Sequence, residues 1–252
     1  MKIAITGSRG FIGSHLRRKL EQEHEIIEWD RDLGKDIKDF TVGEAEFVIH
    51  LAAIADVRRS IKYPEEYWEN NVTTTTEIQR KCHFLNVPLL YASSSCVHNW
   101  WLSPYGTSKK ANEETAFHDQ VAMRFTTVYG DGARESMLIG KIANNNVKYL
   151  TYHIRDFIHV DDVVSAIVIL MDKSENAHKY PQAPLLSSYD IGTGTGVKVN
   201  ELGELFDLNV PVLSGDECEA HDNTANNQDL LDLGWKPTMK VQDYIASKII
   251  PH

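Results

Sequence analysis

The sequence predicts an α/β fold built on a doubly wound parallel sheet with helices on both faces. Two observations predict it. Short apolar runs alternate with longer amphipathic stretches through the first half of the chain, the pattern of strands joined by crossover helices. A glycine-rich turn, Gly7 to Gly13, separates the first such run from the first such stretch.

Taken in order, Lys2–Thr6 reads as a buried strand. Phe11–Glu21 reads as a helix, because Phe11, Ile12, Leu16 and Leu20 recur at helical spacing. Glu25–Trp29 and Phe47–Leu51 read as strands, Pro64–Leu85 as one long helix and Val87–Ala92 as a further strand. Tyr105–Phe117 suits a helix and Val121–Phe125 a strand. After Gly130 the pattern loosens. Arg134–Asn146 reads as a helix, Asp161–Met171 as an apolar helix with an acidic first turn that suits its dipole, and Tyr189–Ile191 as a short strand. The tail from Asn200 is polar and mixed.

Composition narrows the function classes. The 252 residues suffice for one large domain with a small appendage. A net charge of −10 argues against non-specific nucleic-acid binding, which needs clustered cations. No apolar run is long enough to span a membrane, and the opening MKIAITGSRG is too short a run for a signal peptide. Cys82, Cys96 and Cys218 are odd in number and widely spaced, which fits neither a disulfide framework nor a zinc motif. A cytoplasmic protein without a structural metal is expected.

The turn Gly7-Ser8-Arg9-Gly10-Phe11-Ile12-Gly13 follows a strand and opens a helix. Glycines let the backbone approach a pyrophosphate, and the helix N-terminus offers unpaired N–H groups. Asp30 closes the second strand, where a carboxylate can accept from ribose hydroxyls. An ordinary tight turn is the plainer alternative, but the flanking strand and helix favour a Rossmann-type dinucleotide site. Asp30 should repel a 2′-phosphate, so NAD is expected; Arg9 and Arg31 keep NADP open as the alternative.

Tyr105 and Lys109 stand at i and i+4, on one face of a helix. A tyrosine with an ordinary pKa of about 10 is a poor base at neutral pH, and a nearby ammonium favours its phenolate. Tyr-x-x-x-Lys alone is common, and an exposed helix pair would explain it equally. Its place after a dinucleotide turn, and just beyond a strand ending in Ser93-Ser94-Ser95, points to catalysis.

These motifs resemble the extended short-chain dehydrogenase/reductase family, the nucleotide-sugar epimerases, dehydratases and reductases. The GxxGxxG spacing, His50-Leu51-Ala52-Ala53, Asp36-Ile37 and Asn71-Val72 resemble its cofactor side. Ala92-Ser93-Ser94-Ser95-Cys96-Val97, Arg124–Gly130, the stretch Arg155-Asp156-Phe157-Ile158-His159-Val160-Asp161-Asp162-Val163, Tyr189–Gly192 and Leu233–Pro237 resemble its later landmarks. The resemblance implies Ser94, Tyr105 and Lys109 as the catalytic set. It implies cofactor contacts from Gly7, Arg9, Gly10, Phe11, Ile12, Gly13, Asp30, Arg31, Asp36, Ile37, Leu51, Ala52, Ala53, Asn71, Tyr105 and Lys109. Substrate contacts would come from Ser95, Cys96, Thr127 and Arg155. Arg155 would bind a substrate diphosphate, with an ion pair to Asp156 or Asp161 as the rival reading. A homodimer through the helices at Pro64–Leu85 and Tyr105–Phe117 is implied as well.

The departures fall on the substrate side. Only eleven positions separate Ser94 from Tyr105, where the family has a longer segment. Trp100 and Trp101 within it are expected to plug the shortened wall rather than stack on a sugar. His98 stands where the family has tyrosine, either as an added acid or base or as a plain hydrogen-bonding residue. A reduced C-terminal substrate domain is therefore expected: residues 1–130 and 155–195 would form the Rossmann domain, and 131–154 with 196–252 a small substrate-binding region. The implied activity is an NAD-dependent nucleotide-sugar epimerase, with an NADP-dependent reductase/epimerase or a dehydratase as alternatives. A dinucleotide-binding sensor without turnover is the alternative of another class.

Overall fold

The computed structural model describes residues 1–179 and 185–248, the side chains of 178 and 179 excepted. Parts of two expected segments, 180–184 and 249–252, lie outside the described residues.

Six parallel strands form the central sheet: β1 (Lys2–Thr6), β2 (Glu25–Trp29), β3 (Phe47–His50), β4 (Leu89–Ser94), β5 (Gln120–Phe125) and β9 (Ser188–Ile191), in the order β2-β1-β3-β4-β5-β9. The order reverses beside β1, so a crevice opens past the carboxyl ends of β1 and β3. Strand alternation divides the core. Ile3, Ile5, Phe47, Ile49, Leu90, Val121 and Met123 face one layer, packed on α1 (Phe11–Leu20) and α7 (Val160–Lys179). Ala4, Val48, Leu89, Tyr91 and Ala122 face the other, against Ile78 and Cys82 of α4 (Thr74–Phe84). The period of two is what a sheet buried on both faces requires.

Two expected helices differ. The segment from Pro64 is α3 (Pro64–Tyr67), a π-helical turn over Trp68–Thr73, and then α4. The π turn keeps the helix continuous while adding a residue to its register. The helix expected over Arg134–Asn146 is only α6 (Leu138–Ala143). It ends near Asn145, whose φ of 50° leaves the helical region.

Several elements escaped the sequence reading. Helix α2 (Val57–Lys62) follows β3, capped by the Asp56 carboxylate accepting from Arg59 N–H. The stretch after Ser94 is 3-10 helix over Ser95–Leu102, leading into α5 (Pro104–Thr115). Arg155-Asp156-Phe157-Ile158-His159 lies in a strand, β8 (Ile154–His159), between β6 (Thr127–Tyr129) and β10 (Gly196–Lys198). β7 (Leu150–Thr151) pairs with β11 (Val212–Leu213). Together with α8 (Val199–Leu205), α9 (Gln228–Asp232) and α10 (Val241–Lys248), these complete the described chain. Leu150, Val199, Leu202, Val241 and Ile245 join Tyr129, Ile139, Ile142 and Phe157 in a third apolar cluster of their own.

Two buried aspartates staple this part to the sheet. The fully buried Asp156 accepts from Thr193 N–H (2.8 Å) and hydroxyl (2.6 Å), Gly194 N–H (2.9 Å) and Ala225 N–H (3.2 Å). Asp162 accepts from Thr238 and Met239 N–H, and its backbone carbonyl accepts from Trp235 Nε1 at 3.1 Å. Each buried carboxylate thus has its oxygens satisfied by several donors.

Candidate active site

The turn after β1 is shaped by close backbone contact. Gly7 has a φ of +70°, and a Cβ there would stand 2.9 Å from Ala52 N. At Gly13 a Cβ would stand 2.0 Å from the Gly7 carbonyl oxygen. The turn therefore folds onto the first residues of α1 and against Leu51-Ala52. Gly10 caps α1 without a side chain, so no side-chain oxygen takes the first-turn N–H groups near Phe11 and Ile12. The arrangement leaves donors and a positive helix end facing the crevice, as a dinucleotide pyrophosphate needs.

Asp30 stands at the end of β2 and accepts from Arg9 N–H at 2.9 Å and Asp32 N–H at 3.0 Å. The Arg9 guanidinium is held by Glu28, at 2.7 and 2.8 Å. Its charge is thereby paired, and the carboxylates of Asp30 and Glu28 stand together at the end of β2. Arg31 begins the exposed 3-10 turn that follows. Asp36 caps the next turn by accepting from Lys38 N–H at 2.9 Å. Ile37 turns its side chain into the second core layer, so only its backbone faces outward.

Asn71 corrects its expected role as a direct cofactor contact. Its side chain is buried and clamps Ile54, accepting from the N–H and donating to the carbonyl at 2.9 Å each, with a longer bond to Ser108 at 3.3 Å. It fixes the loop carrying Leu51, Ala52 and Ala53 instead of offering its own amide. His50 does similar work one residue earlier. Its ring bridges Thr6 (2.6 Å) and Thr75 (2.9 Å), and burial with the nearby Lys109 holds its pKa at about 3.

The three residues expected to be catalytic, Ser94, Tyr105 and Lys109, converge from two elements. Ser94 ends β4; its hydroxyl accepts from Cys96 N–H at 3.2 Å, and it lies beside the Tyr105 phenol, whose ionised form it favours. Ser93, next to it, points the other way and donates to Glu113 at 2.6 Å. This alternation leaves Ser94 as the serine on the tyrosine. Pro104 starts α5 and the Ser103 hydroxyl caps it, which sets Tyr105 in the first turn. Tyr105 is buried, and burial pushes its phenol well above the ordinary tyrosine range; Cys96 and Tyr67 add to this, while Ser94 and Arg134 oppose it. Lys109 is 2% exposed, and burial lowers its pKa to about 8 against the opposing charge of Glu113. Its ammonium donates to the Ala92 carbonyl at 2.8 Å.

On the substrate side, Ser95 is buried and Cys96 half-buried, with burial raising the Cys96 thiol pKa. The Thr127 hydroxyl accepts from the Asn223 amide at 3.1 Å. Arg155 pairs with neither Asp156 nor Asp161. It reaches Glu219 at 2.9 Å and donates to the carbonyls of Ala220 (2.9 Å) and His221 (3.3 Å). Sequence reading had no means to find Glu219, which lies 64 positions away. Arg134 was missed as well, although its field reaches the Tyr105 phenol. The tryptophans do not plug the wall: Trp100 is 41% and Trp101 61% exposed, and Trp101 lines an open groove with Trp68 and Pro64. His98 binds Asp190 at 3.0 Å instead of facing Tyr105.

This combination of a glycine turn on a switch-point sheet and a Ser–Tyr–Lys constellation defines a dinucleotide-dependent enzyme acting on an alcohol or ketone carbon. Residues 3–183 match the NAD dependent epimerase/dehydratase family, and the chain belongs to it. NAD is the cofactor of this family, and the turn, the acidic ribose end and the buried Lys109 fit it. Protein CapI of Staphylococcus aureus is 31% identical, over 96% of both chains. That alignment runs over 323 residues and this chain has 252, so at least 71 aligned positions have no counterpart here. MoeE5 in complex with UDP-glucose and NAD is 27% identical, with a TM-score of 0.83 over 99% of this chain and 97% of that one. The fold also matches UDP-glucuronic acid 4-epimerase from Bacillus cereus, at 21% identity and a TM-score of 0.84 over 98% of both chains. Among the described residues no helix is long and apolar enough to cross a membrane.

Proposed function

We propose that this enzyme is an NAD-dependent nucleotide-sugar 4-epimerase, with Ser94, Tyr105 and Lys109 as its catalytic residues. The observation that carries the reading is the placement of Ser94 at the carboxyl end of β4 beside the buried Tyr105 of α5, with Lys109 one turn further on donating to Ala92 of the same strand. NAD, when bound, supplies a hydride acceptor and a positively charged ring. Tyr105 takes the proton of the sugar hydroxyl and later returns it. Ser94 hydrogen-bonds the same oxygen as its charge changes, and so need not reorganise during the reaction. Lys109 holds the nicotinamide ribose and, as a buried cation, favours the phenolate. Burial in the free enzyme keeps Tyr105 protonated until positive charge is added beside it.

The residues after Ser94 are Ser95 and Cys96, without the acidic pair a dehydratase uses, which supports epimerisation over dehydration. A UDP-sugar is the favoured substrate class, since MoeE5 has been solved with both UDP-glucose and UDP-glucuronic acid. Arg134 adds a cation near Tyr105 that suits a uronate carboxylate. Residues 131–154 and 196–252 would form the substrate region. Its described part carries the third apolar cluster and walls a cavity of about 350 Å³, lined by Thr127, Gly132, Met137, Phe157 and Tyr244. We place the enzyme in the cytoplasm, as an isologous dimer across α4 and α5, which are tied together by Gln79 donating to the Asn112 carbonyl at 2.8 Å.

The test is incubation with UDP-glucuronic acid, UDP-glucose and the GDP- and dTDP-sugars, followed by chromatography. Interconversion of 4-epimers without net NADH change is expected. Net NADPH consumption would move the assignment to a reductase/epimerase. A Tyr105→Phe protein that keeps every activity would leave a sensor.

A further inference from the structure

The substrate side contains a charged cluster that belongs to neither the cofactor turn nor the catalytic trio. Arg58 comes from α2, directly after the cofactor loop, and Arg155 from β8. Glu219 bridges them: one carboxylate oxygen lies 2.8 Å from Arg58 Nε and the other 2.9 Å from Arg155 Nη2. Asp216 adds a second carboxylate, 2.6 Å from Arg58, and the Tyr149 hydroxyl lies 3.1 Å from the same guanidinium.

The inner half of this cluster is dry and the outer half wet. Side-chain exposure is 13% for Arg155 and 21% for Glu219, against 50% for Arg58 and 49% for Asp216. It adjoins the reaction centre, because the charges of Arg155 and Glu219 both act on the Cys96 thiol. One edge of Arg155 is fixed by the carbonyls of Ile154, Ala220 and His221, which leaves Nη2 as the edge turned to Glu219. The segment carrying Glu219 is anchored at its two ends. Tyr152 N–H donates to Leu213, and Ile154 N–H donates to His221 at 2.8 Å. Between them Glu219 N–H donates to the Asp216 carbonyl at 3.1 Å and closes a turn.

Two guanidiniums brought to one carboxylate suit a diphosphate, which takes planar, paired donors. Here two carboxylates already neutralise them. We propose that Glu219 sets substrate specificity by holding, in the free enzyme, the Arg58–Arg155 seat that a nucleoside diphosphate group must take. Binding then exchanges one anion for another. The carboxylate swings out on its short anchored segment, and a ligand without a compact polyanionic group does not displace it. This rests on the nucleotide-sugar reading above.

The experiment is calorimetric titration of UDP and of inorganic pyrophosphate into the wild-type protein, Glu219→Gln and Glu219→Asp, with thermal melting of each. Removing a like charge within a few ångströms of the incoming anion should tighten both ligands by about tenfold in Glu219→Gln. The same variant should melt lower, since a bridging ion pair is lost. Glu219→Asp keeps the charge and should bind like the wild type. Tighter binding joined to lower stability is not what a merely structural brace would produce. Equal or weaker binding by Glu219→Gln, with measurable binding to the wild type, overturns the assignment of Glu219 and leaves the nucleotide-sugar reading standing. If none of the three proteins binds UDP or pyrophosphate, both fall together.

Discussion

Ser94 and Tyr105 are brought side by side across the junction of β4 and α5, although a 3-10 segment of eight residues lies between them. The placement depends on two local choices. Ser93 and Ser94 alternate across the strand, so Ser93 reaches Glu113 while Ser94 is left on the side of Tyr105. The Ser103 cap and Pro104 then start the helix where its first turn faces the strand end.

Tyr105→Phe removes the phenol that, on the proposed function, takes the substrate proton. Turnover should fall by on the order of a thousandfold. Ser94→Ala should lower kcat by about a hundredfold, with a smaller change in KM, because its bond matters most as charge develops. Both proteins should keep NAD and their far-UV circular dichroism. Substrate conversion followed by chromatography, with cofactor content measured in parallel, checks this.

Gly13→Ala and Gly10→Ala should differ sharply. A Cβ at Gly13 would lie 2.0 Å from the Gly7 carbonyl oxygen, whereas one at Gly10 would lie 3.2 Å from the same atom. The first forces the turn open and should cost at least ~3 kcal/mol together with cofactor binding. The second should stay within ~1 kcal/mol. Urea unfolding midpoints and NAD titration distinguish them; equal effects would mean that the turn is not packed as described.

His50 should make stability pH-dependent. Burial holds its folded pKa at about 3, below the ordinary value of 6.5. Between these values the unfolded chain binds a proton that the folded chain refuses, so stability falls as pH drops through the window. From pH 6.5 to 5 the loss from this group is at most ~2 kcal/mol. His50→Asn should flatten that slope, measured as the change in unfolding free energy between the two pH values.

Asp156→Asn should destabilise the fold without touching the catalytic trio. The substituted amide would turn a donor toward Thr193, Gly194 or Ala225, all of which donate to the native carboxylate. About 2–4 kcal/mol should be lost. Chemical unfolding with NAD present and absent would show the loss in both conditions. An unchanged midpoint would mean that this staple bears no strain.

The sequence alone determined the cofactor half. Strand periodicity, the glycine turn and the i, i+4 tyrosine and lysine are local patterns, set by backbone geometry over a few residues, and so they are legible in order along the chain. The central sheet formed where those patterns placed it. Only the tertiary structure decided which polar side chains meet across long separations. Glu219 on Arg155, Asn223 on Thr127, Ile54 on Asn71 and the outward turn of Trp101 depend on how distant loops dock. The energy of such contacts comes from desolvation and charge pairing in three dimensions, which leaves no period in the sequence to read.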